Sequence, residues 1–99
     1  MPARFRLSTA AEADLRDIGL FGADRWSIRQ ADDYENGLRA LIELIAENPG
    51  MAPDRGLASK VRALSYRSHI VAYRIMEEGI LVVRVLHGRS DWLLKDTEN

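Results

Sequence analysis

The side chains best suited to chemistry are arginines and a histidine in the second half of the chain. Cleavage of RNA by attack of its own 2′-hydroxyl needs cations that stabilise the pentavalent phosphate and groups that move protons. The arginines could supply the cations, and the histidine could move protons. The set comprises Arg62, Arg74, Arg84, His87 and Arg89.

The spacing of these residues argues against one shared catalytic site. Successive side chains of a strand point to opposite faces of its sheet. On the predicted strands Arg74 and Tyr73 therefore face opposite ways, and so do Arg84 and His87. Only one cation or base from each strand can reach a given phosphate. The simpler interpretation places the arginines on a solvent face near a sheet edge, where charge limits aggregation.

Other chemistries find little support in the sequence. The chain has no cysteine, which excludes disulfides, thiolate zinc sites and cysteine nucleophiles. His69 and His87 are too few and too far apart for a metal site, and the carboxylates cluster on predicted helix faces. The serines near these histidines show no triad-like pattern, and no glycine-rich phosphate loop is present. We therefore expect no metal and no cofactor.

The composition is that of one globular domain. The chain has 99 residues, of which 46% are hydrophobic and 29% charged, so we expect a single domain over 1–99 with a polar tail at 90–99. No apolar run is long enough to span a bilayer, and the first residues lack the apolar core of a signal peptide. These features predict a cytoplasmic protein without membrane association.

Charge is distributed unevenly along the chain, although the net charge is only −1. Residues 9–54 contain 4 Lys/Arg and 10 Asp/Glu, whereas residues 55–89 contain 7 Lys/Arg and 2 Asp/Glu. Two solvated faces of opposite sign would explain this distribution. The alternative is a basic sheet face that meets an acidic or phosphate-bearing partner.

Periodicity and capping signals predict one short strand followed by two helices. Residues 4–7 alternate between polar and apolar side chains, as a half-buried strand does. A capping-box pattern opens a helix over 9–26, and a second helix runs from Ser27 to Asn48, where Pro and Gly end it. Almost no loop separates the helices, which predicts an antiparallel hairpin. The inward stripe of the second helix comprises Ala31, Tyr34, Leu38, Leu41, Ile42 and Ile45.

The rest of the chain predicts a loop and three strands. Residues 49–60 contain scattered Pro and Gly, and strands follow at 61–66, 69–76 and 80–87. The last strand is apolar on both faces except for one arginine, so it should lie centrally in the sheet. The predicted fold is α+β with the order β-α-α-β-β-β. A helical hairpin covers one face of a small, largely antiparallel sheet, and the other face carries arginines.

The helices carry more large apolar residues than one inward stripe can bury. Leu20, Phe21, Trp26, Ile28 and Leu44 are the surplus. They are either core residues with a few exposed neighbours or a groove that accepts a partner's amphipathic helix.

An ordered set of motifs resembles the ParE/RelE superfamily of toxins from toxin–antitoxin systems. The chain opens with LSTAAEADL at 7–15 and continues with ENP at 47–49, RAL at 62–64, YRSHIVAYR at 66–74 and VLHGRSD at 85–91. The resemblance covers residues 4–91. It implies a toxin that a ParD-like antitoxin holds inactive in a hetero-oligomer, with DNA contacted only through that antitoxin.

For ParE members the resemblance implies DNA gyrase as the target and no bond-breaking chemistry. The expected antitoxin-binding residues are Leu15, Ile18, Leu20, Phe21, Trp26, Ile28, Tyr34 and Leu44. The expected target-binding basic face is Lys60, Arg62, Arg67, Arg74, Arg84 and Arg89.

The RelE branch of the superfamily, which cuts messenger RNA on the ribosome, is the alternative. Its catalytic candidates here would be Arg62, Arg84, His87 and Arg89. That branch commonly has an arginine three residues before the tyrosine of the middle strand, where this chain has Ile70. It also tends to carry a tyrosine near the C-terminus, and none follows Tyr73. These departures favour ParE. A degenerate member that only co-represses its operon is a third possibility.

Overall fold

The computed structural model describes residues 4–52 and 60–88, and the elements follow the predicted order. The predicted tail at 90–99 and most of the predicted loop lie outside the described residues. The elements are β1 (Phe5–Leu7), α1 (Thr9–Arg25), α2 (Ile28–Glu47), a 3₁₀ turn (Pro49–Met51), β2 (Arg62–Tyr66), β3 (His69–Met76) and β4 (Gly79–His87).

The four strands form one mixed sheet in the order β1-β4-β3-β2. β2 pairs with β3 and β3 with β4 in antiparallel fashion, whereas β1 pairs with β4 in parallel. The prediction that the last strand is central is confirmed, because β4 has a neighbour on each side. The largely antiparallel α+β architecture is confirmed as well.

The two helices pack antiparallel through small residues near their connection. A Cβ on Gly22 would lie 3.2 Å from the Cβ of Ala31, and a Cβ on Gly19 would lie 3.9 Å from Glu35. Residues that come earlier in α1 therefore contact residues that come later in α2, which is the arrangement of an antiparallel hairpin. Ser8 and Ser27 cap the helices by accepting the N–H groups of the residues three positions later.

The hydrophobic core lies between α2 and the sheet face beneath it. Val71, Tyr73 and Val85 are fully buried or nearly so. On β2, Tyr66 packs so closely under α2 that a Cβ on Gly37 would collide with its hydroxyl. The helix side chains in this core are Leu38, Ile42, Ile45 and Ala46 of α2, with Ala11 and Leu15 of α1.

A β-bulge in β4 changes which side chains face the core. Tyr73 pairs with Val82 while Ala72 pairs with Arg84, so Val83 is the extra residue. Strict alternation would place Val82 and Val85 on opposite faces, yet both are buried in the same core cluster. The bulge therefore keeps both halves of β4 in contact with the helices.

The outer edge of β4 is completed partly by a helix rather than by a strand. β1 pairs only with residues 80–82 of β4. Beyond that point the Ser8 N–H and hydroxyl donate to the carbonyls of Val82 and Val83 at 3.0 and 2.6 Å. The Asp14 carboxylate accepts a hydrogen bond from the Val85 N–H at 2.9 Å. It also accepts two hydrogen bonds from the Arg84 guanidinium, at 2.8 and 2.9 Å. The first turns of α1 thus satisfy edge groups that a longer strand would otherwise bind.

Replacing Asp14 by alanine should destabilise the fold. The change leaves the Val85 N–H and the Arg84 guanidinium without their acceptor in a partly buried site. We expect a loss of about 2 kcal/mol in the free energy of unfolding, less than for a fully buried pair because Arg84 is partly exposed. Urea denaturation followed by circular dichroism measures the free energy of unfolding of the wild type and the variant.

Asp17→Ala is the matched control, because Asp17 is an exposed carboxylate on the same helix. It should shift the free energy of unfolding by no more than about 0.5 kcal/mol. Equal midpoints for the two variants would show that Asp14 does not stabilise the edge of β4.

Candidate functional site

Four large apolar side chains are exposed around the connection between the two helices. The exposed fractions are 68% for Leu20, 58% for Phe21, 51% for Trp26 and 71% for Ile28. We call these four residues the hairpin-tip surface. The connection is tight, because the Trp26 N–H donates to the Gly22 carbonyl at 2.8 Å and Ser27 caps α2 immediately afterwards. The Arg25 guanidinium lies 4.8 Å from the Phe21 ring centroid and covers part of that ring.

The other residues expected on this surface lie elsewhere. Leu15 is only 2% exposed and belongs to the core, so its assignment to an exposed binding surface is wrong. Ile18 is half-buried against the same core, and Tyr34 is half-buried among aromatic rings. Leu44 is 45% exposed but lies 16 residues after Ile28, about 24 Å along α2. It is too distant to extend the hairpin-tip surface.

The cations do not form one continuous basic face, which corrects the sequence prediction. Arg62 lies opposite Tyr73 on the helix side of the sheet and donates to the Ala52 carbonyl at 2.6 Å. Arg84 is held by Asp14, whose hydrogen bonds and charge raise the pKa of this guanidinium. Lys60, Arg67 and Arg74 remain exposed, whereas Arg89 lies outside the described residues.

The open face of the sheet is more apolar than expected. Ile70 lies opposite Leu86, and both are half-buried. Ala63 lies opposite Ala72 and both are buried. Arg74 is the exposed cation of β3 on this face. Arg84, which pairs with Ala72, also lies on this face, so the face combines apolar residues with arginines.

The residues considered for RNA cleavage do not converge. Arg62 and Arg84 lie on strands separated by β3, which places their backbones about 10 Å apart, and each already has an acceptor. His87 lies opposite His69 on the helix side, with ring centroids 5.7 Å apart. Arg62, Arg84 and His87 are therefore not directed at a common phosphate.

An aromatic cluster that sequence reasoning missed connects α2 to the sheet. The Tyr34 hydroxyl lies 2.7 Å from Nδ1 of His69, and the Tyr34 ring meets those of Trp26, Tyr66 and His69 at centroid distances of 5.3 to 5.8 Å. Burial, and then the neighbouring His87, lower the pKa of His69, while burial raises the pKa of Tyr34. The signal available in the sequence was the position of Tyr34 on the inward stripe of α2.

Neither a metal-binding cluster nor a membrane-spanning helix is found in residues 4–52 and 60–88. No cluster of three or more His, Cys, Asp or Glu side chains suited to a metal ion occurs in these ranges. Within the same ranges, neither helix has the length and apolar character required to cross a bilayer.

The family follows from comparison with known proteins. Residues 5–92 match the family model described as ParE toxin of type II toxin–antitoxin system, parDE. This chain belongs to the ParE toxin family. A protein named Toxin ParE1 from Caulobacter vibrioides is 45% identical over 84 residues, which cover 84% of this chain and 86% of that relative. A Mycobacterium tuberculosis protein of the same name is 43% identical over 94 residues, covering 92% and 95%.

The ParE fold is also matched among solved structures. A chain from the structure titled "Chromosomal ParDE TA system from P. aeruginosa" superposes with a TM-score of 0.74 at 16% identity. The match covers 87% of this chain and 96% of that chain. The likeness at so low an identity concerns the fold alone. It agrees with the helical hairpin on a four-stranded sheet that this ParE family member displays.

Stability should depend on pH through His69. The pKa of His69 is lower in the folded than in the unfolded chain, so the unfolded chain binds a proton more readily as the pH falls. The contribution of the neutral imidazole is complete above about pH 6.5 and is lost as the pH falls through the pKa of the folded state. We expect a lower unfolding midpoint in urea at about pH 5.5 than at about pH 7.5, a window above the titration of most carboxylates.

His69→Gln removes the titrating group while keeping a polar side chain beside Tyr34. This variant should lose much of the pH dependence of the urea midpoint between these two values. If wild type and variant show the same dependence, His69 is not the group responsible.

Proposed function

We propose that this chain is the toxin of a ParDE-type system, that it inhibits DNA gyrase by binding, and that a ParD-like antitoxin neutralises it. The observation that carries the proposal is membership of the ParE toxin family over residues 5–92. The relatives named Toxin ParE1 match along most of their own length, which supports transfer of the toxin role to the whole chain.

The arrangement of the cations supports action by binding rather than by cleavage. Arg62 and Arg84 contribute to the fold through Ala52 and Asp14 and are not directed at one site. Lys60, Arg67 and Arg74 are exposed but lie on a loop, a turn and a strand respectively. Dispersed cations can steer an approach to an acidic protein surface, whereas general acid–base catalysis requires groups within hydrogen-bonding distance of one substrate.

The hairpin-tip surface supports the antitoxin half of the proposal. Four large apolar side chains around the helix connection, each at least 51% exposed, are costly to leave in water. A partner helix that presents apolar residues at intervals of three and four could bury them together. Leu15, assigned to this role from sequence, is excluded because it is already in the core.

Purified toxin should inhibit gyrase in a supercoiling assay and cause cleaved DNA to accumulate. The inhibition should disappear when the antitoxin is added in equimolar amount. Asp17→Ala is a folding-neutral control that should inhibit like the wild type. Folded toxin that leaves supercoiling unchanged but cuts translated messenger RNA would overturn the gyrase proposal in favour of a ribonuclease.

Polar substitutions on the hairpin-tip surface should weaken antitoxin binding. Leu20→Ser or Ile28→Ser removes a large exposed apolar side chain, and each should raise the dissociation constant about tenfold or more. Leu44→Ser is the matched control, because it removes an exposed leucine at the far end of α2. Isothermal titration calorimetry with the antitoxin measures the three variants. Equal losses for Leu44 and Ile28 would refute the placement of the antitoxin at the hairpin tip.

A further inference from the structure

A pocket with an aromatic wall and a polar rim opens beside the start of α2. Its volume is about 450 Å³, within the range of small-molecule sites. Trp26, Tyr34 and Tyr66 supply the rings, and Gln30, Asp33 and Arg67 supply the polar groups. Of its lining residues, Trp26 alone belongs to the hairpin-tip surface proposed for the antitoxin.

The tyrosines offer ring surface to a ligand, because their hydroxyls lie against other parts of the fold. The Tyr34 hydroxyl contacts Nδ1 of His69, and the Tyr66 hydroxyl lies against the backbone of Gly37. The rings of Tyr34 and Tyr66 meet edge to face at 5.3 Å, while Trp26 is tilted by 43° to Tyr34 at 5.8 Å. Trp26 is 51% exposed, so a face of the indole remains open for stacking.

Arg67 is placed at the rim by an unusual backbone conformation. It adopts φ = 50° in the two-residue turn between β2 and β3, a left-handed conformation that non-glycine residues rarely take. Its guanidinium lies 5.8 Å from the Tyr66 ring centroid. Among the described residues, neither Arg67 nor Asp33 forms an ion pair. Within the described part of the chain, the rim therefore offers a guanidinium and a carboxylate without ion-pair partners, in the same lining as the exposed Trp26 ring.

These groups select the chemistry of a ligand. A cation is disfavoured, because the Arg67 guanidinium already occupies the face of Tyr66. A purely apolar ligand would cover Arg67 and Asp33 without replacing their water. A planar ring that carries both hydrogen-bond acceptors and donors can stack on the indole, accept hydrogen bonds from the guanidinium and donate hydrogen bonds to the carboxylate. Guanine has this pattern, with O6 and N7 as acceptors for arginine and N–H groups as donors for a carboxylate.

We propose that this pocket binds a single guanine nucleotide, with the base stacked on Trp26 and its polar edges directed to Arg67 and Asp33. We do not expect the pocket to bind a nucleic-acid strand along many phosphates, because Arg67 is the lone cation of the described pocket lining. Binding should accordingly be weak and should change little with salt, because Arg67 is directed to the base and no other cation of the described lining is left for the phosphate.

Quenching of Trp26 fluorescence tests the proposal. The full-length chain carrying Trp92→Phe leaves Trp26 as the sole tryptophan. Titration with GMP should quench its emission, with guanosine nearly as effective and CMP weaker. Inorganic phosphate that competes as well as GMP would indicate an anion at Arg67 without base recognition and would overturn the proposal. So would the absence of any quenching at about 10 mM GMP.

Two variants separate the pocket from the fold. Arg67→Gly relieves the left-handed backbone, so the protein should remain folded while GMP binding weakens about tenfold. Trp26→Ala should weaken binding by a similar factor through lost stacking, read out by calorimetry because the fluorophore is gone. Arg74→Gly, which removes an exposed cation from the neighbouring strand, should leave GMP binding unchanged.

A guanine-containing single-stranded hexamer provides a further test. The single-nucleotide site would be contradicted if the hexamer binds far more tightly than GMP, with a steep salt dependence that Trp26→Ala leaves intact.

Discussion

The contact between the first turns of α1 and the outer edge of β4 is the constraint on which the rest of the fold depends. β1 is only three residues long, so β4 would present unpaired backbone groups beyond Val82 if nothing else approached it. Ser8 and Asp14 bind those groups from the helix. The direction of α1 is fixed at this point. Because the connection to α2 is so short, the position of the whole hairpin follows from it.

This constraint also explains why the arginines do not form a catalytic site. The bulge at Val83 turns the Val85 N–H toward Asp14, and the same carboxylate then takes the guanidinium of Arg84. Arg62, on the other side of β3, is likewise engaged by a backbone carbonyl. A guanidinium whose donors are already used for structure has less capacity to stabilise a developing phosphate charge. Exposed apolar surface is therefore the more distinctive property of the molecule.

The sequence predicted the elements well because each is encoded locally. Ser27 caps α2 at the expected position, and the apolar character of β4 correctly indicated a central strand. Side-chain direction was harder to predict, because the bulge at Val83 shifts the alternation of β4 and no local sequence signal marks it. The burial of Leu15 and the helix-side position of Arg62 are consequences of tertiary packing that periodicity does not distinguish from exposure.

The aromatic cluster was not predicted for the same reason, because its members come from the helix connection, from α2 and from two strands, β2 and β3. Trp26 belongs to the hairpin-tip surface and also to the wall of the pocket beside α2. One indole cannot stack on a ligand and be covered by a partner helix through the same face. If both proposed ligands use that face, each must reduce the affinity for the other by the same factor, as linkage requires. The geometry of Trp26 therefore makes the nucleotide pocket and the antitoxin surface thermodynamically coupled, even though Leu20 and Ile28 contribute only to the second.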